Sequence, residues 1–155
     1  MTRELRFVVF RVGSDTFLID IMAVRQILPY SGSTQVPTAP SFVEGVIVFR
    51  NEAVPVIDLA LRIHATPQKP EPEPLLLLTH TPGGMVALKV AEVRRMLTLG
   101  SDELLPAPAT IRGVRGEFLV GIARHDDELF LLLDVDAVLS GEEQEQLRAA
   151  NLTPP

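Results

Sequence analysis

Residues 42–59, FVEGVIVFRNEAVPVIDL, contain two short apolar runs joined by a polar turn. The runs Gly45–Arg50 and Ala53–Ile57 are rich in β-branched residues, and Asn51-Glu52 between them has the length of a hairpin connection. Asp58 follows the second run and suits the N-cap of a short helical turn, because its carboxylate can accept the unpaired N–H groups there. This stretch predicts a β-hairpin that ends in a turn of helix.

The same pattern recurs at an offset of 76 residues, in residues 118–135, FLVGIARHDDELFLLLDV. This offset aligns Gly45 with Gly121 and Asp58 with Asp134. At an offset of 69, residues 23–28 lie over residues 92–97. The chain therefore predicts two related halves, the second with about seven extra residues in its middle loop.

Most of the remaining apolar pattern is also strand-like, with short runs bounded by turn residues. Strong helical spacing begins only after Asp134, at Val135, Val138, Leu139 and Leu147. Closely spaced short strands with tight turns predict an all-β fold, a sandwich or a barrel, that ends in a C-terminal helix. The further predicted strands are Leu5–Val12, Thr16–Ile21, Leu75–His80 and Met85–Val90.

The segment 67–74, PQKPEPEP, holds four prolines and no apolar residue. Alternating prolines keep the backbone extended, so the segment is predicted to be a linker, with a proline-motif ligand as the alternative. We therefore predict one domain over residues 1–155, with lobe one at about 5–66 and lobe two at about 75–147. The sequence leaves open which lobe the N-terminal strand joins.

Composition excludes several classes of protein. The 155 residues include 14 basic and 20 acidic residues, a net charge of −6, with no cysteine, no tryptophan and one tyrosine. The lack of cysteine excludes disulfides, thiol catalysis and cysteine-ligated metals. An acidic chain poor in aromatic residues is unlike a nucleic-acid binder. No apolar run approaches the roughly 20 residues that span a bilayer, so we expect a cytoplasmic protein without membrane insertion.

Catalytic candidates do not assemble into a site. The three histidines are scattered, and the sequence lacks a nucleophile elbow, a phosphate loop and a zinc-protease motif. Asp58 and Asp134 occupy equivalent places in the repeat. This equivalence favours a helix-capping role for each of them, rather than a catalytic acid/base pair formed by both. We predict a binding protein with no enzymatic activity, no metal and no cofactor. The positions predicted to be structural are Gly45, Asp58, Gly121 and Asp134.

The chain resembles CheW-like domains over essentially its whole length, from about residue 5 to residue 140. The resemblance is most specific at residues 36–47, VPTAPSFVEGVI, followed by Arg50 and residues 54–59, VPVIDL. It also includes residues 7–13, FVVFRVG, and residues 24–28, VRQIL. The second half continues it at residues 87–93, 111–114 and 131–135.

The resemblance implies two five-stranded SH3-like β-barrels with short helices, in agreement with the repeat. It also implies a non-enzymatic adaptor that links methyl-accepting chemoreceptors to a CheA-type histidine kinase and is recruited to receptor arrays at the inner membrane. One lobe would pair with the regulatory domain of the kinase, and the groove between the lobes would receive the helical receptor tip. By motif match, the residues expected at this groove are Val24, Gln26 and Arg50, with Ile47 and Val48 as neighbours.

Three positions depart from the family pattern. The usual Arg-Gly is Arg50-Asn51, an acidic residue common before the apolar pair is Gln26, and Ala91 replaces a frequent aspartate. Asparagine tolerates left-handed backbone, so the turn should survive, whereas an Arg–Gln hydrogen bond is weaker than an Arg–Glu ion pair. The departures leave two alternatives: an accessory protein of a motility or developmental pathway that binds a receptor but not the kinase, or a small-molecule-binding β-barrel.

Overall fold

The computed structural model describes residues 3–64 and 69–139. Its helices are α1 (Leu59–His64) and α2 (Val135–Val138), and 3-10 turns cover Ile21–Ala23, Ser101–Glu103 and Gly116–Phe118. Leu147, predicted as part of the C-terminal helix, lies outside the described residues. The strands are β1 (Glu4–Val12), β2 (Asp15–Asp20), β3 (Val24–Pro29), β4 (Val43–Phe49), β5 (Glu52–Asp58), β6 (Leu75–Thr81), β7 (Gly84–Val90), β8 (Glu92–Gly100), β9 (Leu104–Leu105), β10 (Thr110–Ile111), β11 (Val114–Arg115), β12 (Leu119–His125) and β13 (Glu128–Leu133).

The strands form two large sheets of the same design. One has five strands in the order β3-β6-β7-β5-β4, and the other has six in the order β8-β1-β2-β13-β12-β9. In the repeat, β3, β6, β7, β5 and β4 correspond in this order to β8, β1, β2, β13 and β12. The two sheets therefore have the same strand order, and the two-residue β9 is an additional strand. The predicted all-β class with two related barrels is confirmed. The extra residues of the second half include the small β10–β11 hairpin.

Each sheet takes one hairpin from the other half of the chain. The β1–β2 hairpin pairs with β8 and, in parallel, with β13, while the β6–β7 hairpin pairs with β3 and, in parallel, with β5. The N-terminal strand therefore belongs to the six-stranded sheet. The predicted lobe ranges 5–66 and 75–147 do not coincide with the sheets, because the exchanged hairpins carry strands across segment 67–74.

Two glycines allow a neighbouring antiparallel segment to approach the edge of each sheet closely. A Cβ on Gly45 would lie 2.6 Å from the backbone oxygen of Thr34, and a Cβ on Gly121 would lie 2.6 Å from that of Leu105. Both distances are too short for a real Cβ, so a residue without a side chain is needed at each position. The same close contact therefore occurs in both copies of the repeat.

Asp58 and Asp134 have the same structural role. Oδ1 of Asp58 accepts a hydrogen bond from the backbone N–H of Leu61, and Oδ1 of Asp134 accepts one from Asp136, each at 3.2 Å. In both copies the backbone N–H of the aspartate also donates to the phenylalanine carbonyl that precedes the hairpin, at 2.8 Å. Each carboxylate therefore satisfies N–H groups in the first turn of a helix.

The apolar core has three parts. A small cluster fills each barrel, and a larger one between the two sheets takes residues from both. In this central cluster the guanidinium of Arg62 lies 4.1 Å from the ring centroid of Phe42 and 5.0 Å from that of Phe118. Its Nε donates to the carbonyl of Val138 at 2.8 Å. Because the sheets share this core, the two lobes form one folded unit.

His125 connects the β12–β13 hairpin to the 3-10 turn that ends at Glu103. Its Nδ1 lies 2.8 Å from Oε2 of Glu103, and its Nε2 lies 3.4 Å from Oδ2 of Asp126. The hydrogen bond with Glu103 raises the pKa of His125, which the nearby Arg95 opposes, and the same bond lowers the pKa of Glu103.

We expect this pair to make folding stability depend on pH. The contribution of His125 is complete below its usual pKa of 6.5 and is lost as the pH rises through its raised pKa. The contribution of Glu103 is complete above its usual pKa of 4.5 and is lost at lower pH. The free energies of unfolding of the wild type and of His125→Gln, measured in urea, should therefore differ more at about pH 5.5 than at about pH 8.5. An equal difference at both pH values would contradict the assignment.

Candidate functional site

A cleft between β3 and the β4–β5 turn brings together two of the predicted site residues. Its volume is about 150 Å³, below the roughly 300 Å³ of the smallest typical small-molecule pockets, so it suits a single side chain of a partner. We call it the Arg50 cleft. It is lined by Arg25, Gln26, Phe49, Arg50, Glu52 and Met85.

The β4–β5 turn presents Arg50 to this cleft. Arg50 and Asn51 have φ angles of 49° and 64°, the left-handed pair that a two-residue hairpin turn of this kind requires. The turn thus keeps its geometry with asparagine in place of the expected glycine. The repeat partners Asp126 and Asp127 have φ angles of 51° and 63°. Both copies of the repeat therefore share the backbone conformation of this turn, whereas only the first copy has an arginine there.

The side chain of Arg50 has donors to offer a partner. Its Cζ lies 5.2 Å from the ring centroid of Phe49, and the side chain is exposed. Within the described part of the chain, Arg50 forms no ion pair and no side-chain hydrogen bond, so the Arg–Gln bond with Gln26 that the sequence allowed is not made. A guanidinium stacked on one ring and otherwise unpaired can bind a carboxylate or a carbonyl.

The charge of the Arg50 cleft differs from that of the chain. Its lining residues include two guanidinium groups, from Arg25 and Arg50, and one carboxylate, from Glu52. The chain as a whole has a net charge of −6. Phe49 and Met85 add apolar surface beside these charges. The cleft therefore suits a partner side chain that combines an apolar stem with an acceptor group.

Three other predicted site residues lie outside the lining of this cleft. Ile47 is half-buried against the core of the five-stranded sheet, while Val48 is 70% exposed. Successive side chains of a strand point to opposite faces, so these two neighbours cannot both face one groove. Val24 packs against the central core, and the register shift between Val24 and Gln26 marks a bulge that re-aims the exposed Gln26.

Four lining residues were not among the predicted site residues: Arg25, Phe49, Glu52 and Met85. The hairpin signal was sufficient to indicate Phe49 and Glu52, because they flank the predicted turn on either side. Met85 is different, since it belongs to the β6–β7 hairpin and reaches this sheet only through the exchange between halves. A local pattern carries no information on that pairing.

The described ranges, 3–64 and 69–139, contain no group of three or more His, Asp or Glu side chains arranged to hold a metal ion. Within the same residues, no helix has the length and apolar character to cross a membrane.

Known proteins resemble this chain over nearly all of its length. The family model described as CheW-like domain matches residues 6–143. A probable chemotaxis protein CheW from Rhizobium etli is 31% identical over 143 residues, which make up 92% of this chain and 91% of that protein. A chemotaxis protein CheW from Treponema pallidum is 28% identical, with 96% and 89% covered. The crystal structure of the scaffolding protein TtCheW from Thermoanaerobacter tengcongensis has the same fold, with a TM-score of 0.82, 23% identity and 91% of each chain covered.

Proposed function

This chain belongs to the CheW-like domain family, and we propose that it is a non-enzymatic adaptor that couples chemoreceptors to a CheA-type histidine kinase. The observation that carries the proposal is its similarity to chemotaxis proteins named CheW, which includes both sheets and both halves of the repeat. The names of these relatives favour a coupling adaptor over the accessory and small-molecule alternatives.

An adaptor of this kind acts by contact and needs no reaction. Two partners held by one rigid body can bias each other's conformations, provided that their contacts differ between signalling states. The shared core of the two sheets supports such rigidity, because the lobes cannot separate without exposing it. We propose that the regulatory domain of the kinase pairs with one lobe, and that receptor binding recruits the adaptor to the membrane-bound arrays.

The receptor tip is proposed to bind along the first half of the repeat. Val24 begins β3, where the chain passes from the six-stranded to the five-stranded sheet, and this seam is the proposed seat of the receptor helix. The Arg50 cleft takes one side chain of that helix, with Gln26 on its wall. Val48 supplies exposed apolar surface, and Ile47 supports the strand from its buried face.

The first test is direct binding of the purified protein to each partner separately. We expect micromolar dissociation constants for a soluble receptor-tip fragment and for the regulatory domain of the kinase from the same genome. Binding to the receptor fragment alone would favour the accessory alternative. Binding to neither partner would overturn the proposed function.

Arg50→Ala should weaken binding of the receptor fragment by roughly ten- to hundredfold, because a hydrogen bond that involves a charged group is worth about 1.5–3 kcal/mol. Isothermal titration calorimetry would measure the change, with unfolding in urea as the check on folding. Arg124→Ala removes an exposed arginine from β12, the repeat partner of β4, and is the matched control that should bind as the wild type does. Equal affinities for Arg50→Ala and the wild type would refute the role of the cleft.

A further inference from the structure

The chain passes from one sheet to the other at two places related by the repeat. Ile21–Ala23 connects β2 of the six-stranded sheet to β3 of the five-stranded sheet, and residues 90–92 connect β7 to β8 in the opposite sense. We call these the first and second crossings. The offset of 69 aligns Met22 with Ala91, yet Met22 is 85% exposed and Ala91 only 9%. Two copies of one feature therefore differ in what covers them.

The described part of the proline-rich segment, residues 69–74, lies against the second crossing. Clefts of about 430 Å³ and 650 Å³ flank it, and Glu71, Pro74 and Ala91 line both. Because the same three residues border both clefts, the segment runs over Ala91 and divides one groove in two. Its extended prolines suit this course, since they leave few backbone donors in need of partners.

Contacts at both ends attach the segment to the two sheets. Nη1 and Nη2 of Arg11, on β1, lie 3.3 Å and 3.4 Å from Oε1 and Oε2 of Glu71, in a two-pronged ion pair. The hydrogen bond with Glu71 raises the pKa of Arg11. Beyond the end of β3, the backbone N–H of Tyr30 donates to the carbonyl of Pro74 at 3.1 Å. The segment therefore bridges the six-stranded and five-stranded sheets.

The residue at position 91 permits this arrangement. Nε of Arg11 already lies 3.4 Å from Oε1 of Glu92, so two carboxylates surround one guanidinium. An aspartate in place of Ala91 would add a third negative charge beside Glu71 and Glu92. Like charges in close proximity repel, so alanine favours the approach of this acidic segment.

We propose that residues 69–74 form a strap that lies across the groove at the second crossing as an intramolecular ligand, and that the Arg11–Glu71 pair holds it closed. The strap covers the second crossing, while the first crossing, with Met22, stays open to a partner. Of the two related crossings, only the first is therefore accessible to a partner. The inference goes beyond the proposed function, because it holds whether or not a receptor binds.

Thiol labelling tests the strap directly, since the chain contains no cysteine. Ala91→Cys places a thiol beneath the strap, and Met22→Cys places one at the equivalent open position. We expect a maleimide to react with Met22→Cys at least about tenfold faster than with Ala91→Cys. Similar rates for the two variants would overturn the proposal.

The second arm of the experiment opens the strap. Glu71→Gln and Arg11→Gln, each combined with Ala91→Cys, should speed labelling about fivefold, which corresponds to the upper range for a partly exposed ion pair. The two changes alter the local charge in opposite directions, so an effect on thiol ionisation alone would speed one and slow the other. Opposite effects of the two changes would therefore contradict strap opening.

Glu73→Gln is the matched control within the strap. It makes the same chemical change two residues from Glu71, at an exposed position for which the described residues provide no ion pair. Labelling of Ala91→Cys should be unchanged by Glu73→Gln, and labelling of Met22→Cys should be unchanged by all three changes. An equal acceleration by Glu73→Gln and Glu71→Gln would overturn the role of the ion pair.

Discussion

Replacing Arg62 by alanine should lower the free energy of unfolding by about 3 kcal/mol. Its guanidinium lies over the rings of Phe42 and Phe118, and each cation–π contact contributes about 0.5–1 kcal/mol or more when desolvated. Its Nε also donates to the carbonyl of Val138, a bond to a charged donor worth about 1.5–3 kcal/mol. Because Phe42 and Phe118 are repeat partners, the change removes a contact with both halves of the chain at once.

Urea unfolding followed by circular dichroism would measure this loss. Arg62→Lys keeps the charge but lacks the planar group that contacts both rings, so it should recover less than half of the loss. Arg95→Ala removes an exposed arginine of β8 and should change the free energy of unfolding by less than about 0.5 kcal/mol. A similarly small effect of Arg62→Ala would show that the central core holds the sheets together without it.

The importance of Arg62 could not be predicted from the sequence. It occurs in a short helical turn between apolar residues, where an arginine is usually solvated. The offset of 76 did align Phe42 with Phe118, but alignment does not indicate that the two rings face one another. Only the packing of the two sheets brings both rings into contact with the same guanidinium.

The repeat predicted more of the fold than the individual strands did. Equivalent glycines and aspartates indicated two related hairpins, and the structure gives the two sheets the same strand order. The exchange of hairpins between halves could not be predicted, because the apolar period defines a strand and its faces but not its partner. The lobe ranges drawn at segment 67–74 differ from the sheets for this reason.

The candidate site was predictable in part. The resemblance named Gln26 and Arg50, which the structure places in one cleft. The opposite orientations of Ile47 and Val48 follow from the two-residue period of a strand, so the sequence alone was sufficient to separate them. Met85 could not be predicted as a site residue, since it comes from the other half of the chain through the hairpin exchange.

Gly121→Ala should lower the free energy of unfolding by about 2 kcal/mol, in the range of overpacked cores. The new Cβ would lie 2.6 Å from the backbone oxygen of Leu105, which is part of β9 and cannot move aside as a flexible side chain would. Either β9 loses its pairing with β12 or the backbone of both strands shifts. Gly45→Ala should cost a similar amount, because its Cβ would meet the backbone oxygen of Thr34 at the same distance.

The two glycine variants also test whether the repeat has the same energetics in both copies. Gly45 and Gly121 belong to different sheets, so the losses should add to about 4 kcal/mol in the double variant. Val120→Ala, next to Gly121 and 61% exposed, is the control and should change the free energy of unfolding by less than about 0.5 kcal/mol. If Gly121→Ala were as stable as Val120→Ala, the close approach of β9 to β12 would be unnecessary for the fold. A loss at Gly45 alone would indicate that the antiparallel β-bridge between Thr34 and Val46 contributes to stability, while β9, at the edge of its sheet, adjusts freely.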